Sequence, residues 1–133
     1  PITDTRMTRF WITLEQAVKF VDDSFSMMQG GELYVPRIPS MKVTDLAEAV
    51  SPGSETYEIG IRPGEKLHEE MISLDDSRRT ILLGDRYIVE PTIATWGYER
   101  HKDGIPVADG FSYSSDNNDQ WLSVDQLREM IGL

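Results

Sequence analysis

Arginine is the residue type in this chain whose surroundings best fit the binding of an anion. Arg62 follows the predicted strand residues Glu-Ile-Gly-Ile at 58–61 and precedes a Pro-Gly turn, after which helix-forming residues begin. A helix starting there would offer free N–H groups and a positive dipole end, and an adjacent guanidinium can hold a phosphate through two parallel hydrogen bonds. Glu65, three residues later, could accept hydrogen bonds from sugar hydroxyls. A phosphate-binding turn at Arg62 is therefore one interpretation of this spacing.

An ordinary surface role for Arg62 explains the same spacing. Its guanidinium could instead pair with Glu65 or Glu69 in solvent, a contact that contributes under ~1 kcal/mol to stability. An arginine whose aliphatic stem packs on apolar neighbours is common at protein surfaces. Three other arginines also lie near apolar or turn residues: Arg6, Arg9 and Arg37. Residue spacing alone leaves both interpretations open.

Other patterns of catalytic or metal-binding residues are not found in the sequence. The chain has no cysteine, and its two histidines, His68 and His101, lack the spacing of a metal-binding pair. The polar run 114–119 lacks the internal Gly and final Glu of a calcium loop. No Gly-rich phosphate loop is present. Neighbouring acids point apart on a helix and are interpreted as solvated surface: Asp22-Asp23, Glu69-Glu70 and Asp75-Asp76. The sequence therefore predicts no catalytic residue, no cofactor site and no metal site in this chain.

Composition limits the kinds of partner that the chain can have. A chain of 133 residues with 39% hydrophobic residues is long enough for one domain with a real core. Its formal net charge of -10 repels phosphate backbones, and no basic patch offsets it, so no nucleic-acid partner is expected. No apolar run approaches the ~18 residues needed to cross a bilayer. We expect a soluble chain with no membrane partner.

Apolar residues at three- and four-residue steps predict four helices, most of them with recognisable capping residues. These are residues 13–29, the two turns after the N-cap Thr44, a helix from Glu65, and the segment after the capping box Ser123–Gln126. The helix from Glu65 matters most, because it would place a dipole beside Arg62.

Short β-branched and aromatic runs predict strands between these helices. They are residues 9–12, 32–36 and 56–61, and a hairpin over 80–91 that turns at Gly84-Asp85. Residues 92–119 are interpreted as irregular. Strands interleaved with helices, without a repeat or an interdomain linker, predict one mixed α/β domain over residues 1–133.

Four segments resemble, in the same order, the C-terminal part of UDP-N-acetylglucosamine 4,6-dehydratases of the inverting, C5-epimerising type. The segments are residues 7–21, 30–50, 59–73 and 111–131. The resemblance implies an extended short-chain dehydrogenase, in which a Rossmann domain holds NADP and a smaller C-terminal region closes over the UDP-sugar. The family's nucleotide-binding glycines, Tyr-x-x-x-Lys pair and acid/base residues lie upstream of the matched region. The Rossmann core is therefore expected to be absent from this chain, and the chain alone is expected to be inactive.

The same resemblance assigns substrate-binding roles to three residues. Arg9 and Arg62 resemble ligands of the nucleotide diphosphate, and Glu65 resembles the acid that hydrogen-bonds the ribose. The parent protein is then expected to be a cytoplasmic lyase of polysaccharide biosynthesis, in surface-glycan or pseudaminic acid synthesis. Its expected partners are a UDP-sugar, its own N-terminal Rossmann domain and further copies of itself.

Two other functions remain open at this stage. One is a related UDP-sugar 4-epimerase or reductase, which the residues upstream would distinguish from a dehydratase. The other is a noncatalytic binding or oligomerisation module. Because the family packs this region on the Rossmann domain, we also expect an exposed apolar face, or an intertwined dimer, around residues 9–18.

Overall fold

The computed structural model describes all residues, 1–133, and confirms a mixed α/β chain. Its elements in chain order are β1 (Thr8–Phe10), α1 (Leu14–Met27), β2 (Leu33–Pro36), β3 (Ser40–Lys42), α2 (Val43–Val50), β4 (Glu70–Ile72), α3 (Leu74–Ser77), β5 (Thr80–Leu83), β6 (Arg86–Val89), β7 (Ile105–Pro106), β8 (Tyr113–Ser114) and α4 (Val124–Ile131). None of the helices is both long enough and apolar enough to cross a membrane.

The chain divides into two compact units, each made of several segments. Unit 1 comprises Pro1–Thr13, Ile38–Glu70 and Ser114–Leu133, and unit 2 comprises Leu14–Arg37 and Met71–Tyr113. The chain passes from one unit to the other four times, after Thr13, Arg37, Glu70 and Tyr113. A single domain over residues 1–133 stays a prediction, since it concerns the association of the two units.

The core of unit 1 lies where β3, α2 and α4 meet. Met41, Ala49 and Leu127 form a buried cluster. Partly buried apolar side chains surround it: Trp11, Leu46, Leu122 and Val124. Strand β1 pairs antiparallel with β3, which places Arg9 opposite Met41. The α2–α4 core therefore supports the strand pair that carries Arg9.

The two helices of unit 1 begin in different ways. The capping box of α4 is confirmed: the Ser123 side chain accepts the Gln126 N–H, and the Gln126 side chain accepts the Ser123 N–H. The predicted N-cap of α2, Thr44, is wrong, because the helix already begins at Val43 and Lys42 makes no side-chain cap. Strand β3 runs directly into α2, and the Val43 N–H donates to the Met7 carbonyl at 3.0 Å. Strand pairing therefore fixes this helix start.

Unit 2 is built on a four-stranded antiparallel sheet in the order β2-β6-β5-β7. The predicted hairpin is confirmed: β5 and β6 pair with Leu83 opposite Arg86, and Gly84 takes the positive φ of 59° that the tight turn requires. Ile81 and Ile88 lie opposite each other in this pair and are fully buried. Strand β6 is buried along its length because it has a partner on each side.

Helix α1 confirms the helix predicted for residues 13–29 and presents an apolar face to solvent. Leu14, Val18, Val21 and Phe25 recur at helical spacing, and each exposes more than half of its surface. This is the exposed apolar face expected for the region. Ser24, which is buried, lies outside this exposed row.

Two predicted elements near Arg62 are wrong. The segment predicted as a strand at 56–61 makes only an isolated bridge, between Glu58 and Ile2. The helix predicted from Glu65 does not form, because the Leu67 carbonyl accepts the Thr8 N–H at 3.2 Å instead of a donor from its own next turn. Long-range bonding to β1 satisfies the backbone of this segment, and a helix would compete for the same groups.

Candidate functional site

Arg9 joins β1 to the segment that follows Arg62. Its Nη1 donates to the carbonyls of Thr8 at 2.7 Å and Leu67 at 3.1 Å, and its Nη2 donates to the carbonyl of Lys66 at 3.0 Å. Only 22% of the Arg9 side chain is exposed. Arg9 therefore fixes the position of residues 66–67 relative to β1. The sequence predicted only a ligand-binding role for Arg9 and not this structural one.

Arg62 begins a β-turn and not a helix. The Glu65 N–H donates to the Arg62 carbonyl at 3.0 Å, with Pro63 and Gly64 as the central residues. Gly64 has a φ of 83°, as the third position of a type II turn requires. The proposed helix dipole beside Arg62 is therefore wrong. An anion at this turn would meet the exposed Arg62 side chain without help from a helix end.

The structure brings two of the three predicted substrate-binding residues together directly. Arg9 Nη2 lies 3.9 Å from Glu65 Oε1. Glu65 Oε2 accepts the backbone N–H of Arg62 at 3.2 Å, so Glu65 also ties Arg62 to the site. One sequence interpretation paired the Arg62 guanidinium with Glu65 at the surface. The structure shows a different contact, in which the Glu65 carboxylate accepts the backbone N–H of Arg62.

Sequence reasoning missed a buried hydroxyl network beside Arg9. Thr8 Oγ1 lies 2.8 Å from His68 Nδ1 and 2.7 Å from Ser115 Oγ. Thr8 and Ser115 are both buried. The Ser115 hydroxyl also accepts the Glu69 N–H at 2.9 Å. The network fixes the backbone of 68–69. Of these residues, His68 lies in the string 62–69, which is part of the segment 59–73 that carries the family resemblance. Nothing else in the sequence indicated the network.

An open cavity of about 500 Å³ lies next to this network. Its walls are Lys66, Leu67, His68, Glu69, Glu70, Ser114 and Asp116. A hydrogen bond from the Ser114 hydroxyl is the main cause that lowers the pKa of Asp116, and backbone N–H groups and the nearby His68 lower it further. The cavity thus offers carboxylates, one ammonium group and one imidazole, a lining suited to a polar ligand with many hydroxyl groups.

The segment that leads into β1 is held by an acid-sensitive ion pair. Arg6 Nε and Nη2 donate to the Asp4 carboxylate at 3.0 and 2.7 Å, which lowers the pKa of Asp4 to about 2. Because this pKa lies below its ordinary value of 3.8, the pair stabilises the fold above 3.8 and this stability is lost as the pH falls through about 2. Glu58 and His68 also act on this pair electrostatically.

We expect Asp4→Asn to flatten the acid limb of a plot of urea midpoint against pH. The Asp45→Asn variant is the control, since it removes the same charge from α2. An unchanged acid limb in Asp4→Asn would show that the ion pair does not contribute to the pH dependence.

Comparison with known proteins identifies the family of this chain. Residues 1–91 match the model of a family described as "Polysaccharide biosynthesis protein". The chain belongs to this family. Within the polysaccharide biosynthesis proteins, it is 52% identical to the UDP-N-acetylglucosamine 4,6-dehydratase (inverting) of Campylobacter jejuni, over 98% of this chain and 41% of that protein. The resemblance drawn from the four segments is therefore confirmed.

Two other similar proteins also match nearly the whole chain. It is 26% identical to the UDP-glucose 4-epimerase of Rickettsia canadensis, over 98% of this chain and 40% of that protein. The X-ray structure of Pen from Bacillus thuringiensis superposes with a TM-score of 0.79 at 30% identity, over 98% of this chain and 40% of that one. The chain thus spans about two fifths of the length of these relatives.

Proposed function

We propose that this chain is the substrate-binding part of an inverting UDP-N-acetylglucosamine 4,6-dehydratase. The main structural support is the position of Arg9. Its guanidinium donates to the carbonyls of Lys66 and Leu67, after the Arg62 turn, and its Nε and Nη2 atoms make no closer contact to a carboxylate than 3.9 Å. The similarity to the Campylobacter jejuni dehydratase covers the same segments. In this proposal the chain binds the UDP end of the substrate.

Three residues carry the proposed binding. Arg9 and Arg62 contact the diphosphate, and Glu65 accepts hydrogen bonds from the ribose. In a chain of net charge -10, a diphosphate needs cations within contact distance, because the average field repels it. Planar guanidinium groups give charge-assisted, bidentate contacts without a metal ion. Glu65 lies between the two arginines, with one oxygen toward each of them.

The oxidation and reduction steps are assigned to the part of the relatives outside this match. A dinucleotide site needs parallel strands joined through a Gly-rich turn to a helix. Here the β1–β3 pair and the four-stranded sheet are antiparallel. We assign NADP to an N-terminal Rossmann domain of the parent protein. The remaining assignments are a cytoplasmic lyase, a homo-oligomer and a role in pseudaminic acid or capsular sugar synthesis.

A UDP-sugar 4-epimerase is the second candidate. The relatives of that name support it, although they match at lower identity than the dehydratases. Both candidates share the proposed UDP contacts and differ in the product. Mass spectrometry of the product made by the parent protein separates them, because a 4,6-dehydratase removes one water molecule and an epimerase leaves the mass unchanged.

The Arg62→Ala variant tests the proposed binding site. We expect this chain to bind UDP in isothermal titration, and we expect the variant to bind about tenfold more weakly, because one charge-assisted contact is lost. Arg78→Ala is the matched control, since Arg78 is an exposed arginine at the end of α3. Equal affinities of the two variants would exclude Arg62 from the site. No UDP binding by the wild-type chain would contradict the proposed function.

A further inference from the structure

The hydrogen bonds of Arg9 leave one defined edge of its guanidinium for a ligand. A guanidinium carries five N–H hydrogens. Both hydrogens of Nη1 and one of Nη2 are used by backbone carbonyls. The two that remain belong to Nε and Nη2, on the edge that binds one carboxylate or one phosphate with two parallel bonds.

Two carboxylates face this edge without completing it. Glu65 Oε1 lies 3.9 Å from Nη2, and Glu69 Oε1 lies 3.9 Å from Nε. These distances exceed the reach of a hydrogen bond, so the contacts are ion pairs only. Arg100 shows the completed form in unit 2, where its Nε donates to Glu90 Oε1 at 3.0 Å and its Nη2 donates to Glu90 Oε2.

Glu69 is held in place independently of Arg9. Its Oε2 accepts the Phe10 N–H at 2.8 Å, and its own N–H donates to the Ser115 hydroxyl. The carboxylate is therefore attached to β1 next to the guanidinium by a hydrogen bond that does not involve Arg9. Glu65 belongs to the turn and has a proposed contact of its own with the ribose.

We propose that the charge of Glu69, held by the Phe10 N–H beside the binding edge of Arg9, opposes the entry of a phosphate group. The proposal rests on the proposed UDP site. An incoming phosphate must weaken the Arg9–Glu69 attraction and approach a fixed negative charge. Glu69 thereby lowers the affinity for any ligand that places a phosphate group on this edge.

The Glu69→Gln variant separates the charge of Glu69 from its structural role. Glutamine keeps an oxygen that accepts the Phe10 N–H but removes the charge facing Arg9. We expect isothermal titration to show binding of inorganic pyrophosphate and of UDP about two- to fivefold tighter than in the wild-type chain, the effect of one partly exposed charge. A purely structural role would weaken binding, so a gain in affinity is diagnostic.

Glu70→Gln is the matched control, because Glu70 lines the same cavity and carries the same charge. Equal gains in both variants would overturn the proposal in favour of a general charge effect, and so would weaker binding by Glu69→Gln. Absence of pyrophosphate binding in both the wild-type chain and Glu69→Gln would also overturn it. The Glu69→Gln variant could bind pyrophosphate more tightly than the wild-type chain does while its affinity for UDP is unchanged. That result would support the role of Glu69 and contradict the nucleotide function.

A second measurement needs no variant. In the wild-type chain, pyrophosphate is expected to shift the NMR signal of the Arg9 Nε–H group, since this hydrogen lies on the proposed edge. An unmoved Arg9 signal at saturating pyrophosphate would overturn the assignment of that edge.

Discussion

Replacing Leu127 with alanine is expected to lower the free energy of unfolding by about 2–5 kcal/mol. Leu127 is fully buried in α4 and packs in one cluster with Met41 and Ala49. Truncation removes apolar contacts with β3 and α2 and leaves a cavity that the surrounding helices cannot fill completely. Urea unfolding followed by circular dichroism measures the change.

Leu133→Ala is the control for this substitution. It makes the same chemical change beyond the end of α4, where 63% of the residue is exposed. We expect its effect to stay within about 0.5 kcal/mol, as is usual for surface positions. A loss below about 1 kcal/mol in Leu127→Ala would contradict the assignment of Leu127 to a tightly packed core.

Elements defined by neighbouring residues could be predicted from the sequence. The β5–β6 hairpin is specified by β-branched runs on both sides of Gly84, and α4 by the reciprocal cap of Ser123 and Gln126. Both patterns lie within a few residues of each other and satisfy their own backbone groups. Both predictions were correct, and in both elements the stabilising contacts are local. The N-cap predicted at Thr44 was wrong because pairing with distant residues fixes the start of α2.

Elements defined by distant partners could not be predicted in this way. The segment after Glu65 has helix-forming residues, but β1 binds its carbonyls from 57 and 58 positions away in the chain. A propensity is worth tenths of a kcal/mol per residue, and several backbone and charge-assisted hydrogen bonds outweigh it. The Pro-Gly pair is consistent with either outcome, since it suits a helix start and a type II turn alike.

The candidate site shows the same division. Residue type and resemblance were enough to select Arg9, Arg62 and Glu65, whose roles in binding stay predictions. The surroundings of Arg9 were not predictable, because Thr8 and Ser115 meet across 107 positions in the chain. Glu69 was interpreted as solvated surface from its acidic neighbour, whereas its carboxylate accepts the Phe10 N–H and faces Arg9.

Arg9→Ala is expected to weaken UDP binding at least tenfold and to lower the stability of unit 1 by about 1–3 kcal/mol. Alanine removes the side-chain donor of the Lys66 carbonyl, leaves the Leu67 carbonyl with the Thr8 N–H as its only donor, and leaves Glu65 and Glu69 without a cation. The two effects have different origins: the carbonyl contacts position the segment after the turn, and the remaining edge contacts the diphosphate.

The Arg9→Lys variant separates these two effects. An ammonium group keeps the charge and can donate to a carbonyl, but it cannot also present a planar two-hydrogen edge to a phosphate. We therefore expect Arg9→Lys to recover part of the stability lost in Arg9→Ala, measured by urea unfolding, while its UDP affinity in isothermal titration stays close to that of the alanine variant. Wild-type affinity in Arg9→Lys would show that charge alone is sufficient and that the planar edge does not contribute. If Arg9→Lys is no more stable than Arg9→Ala, the carbonyl contacts of the guanidinium, and not its charge, give Arg9 its structural role.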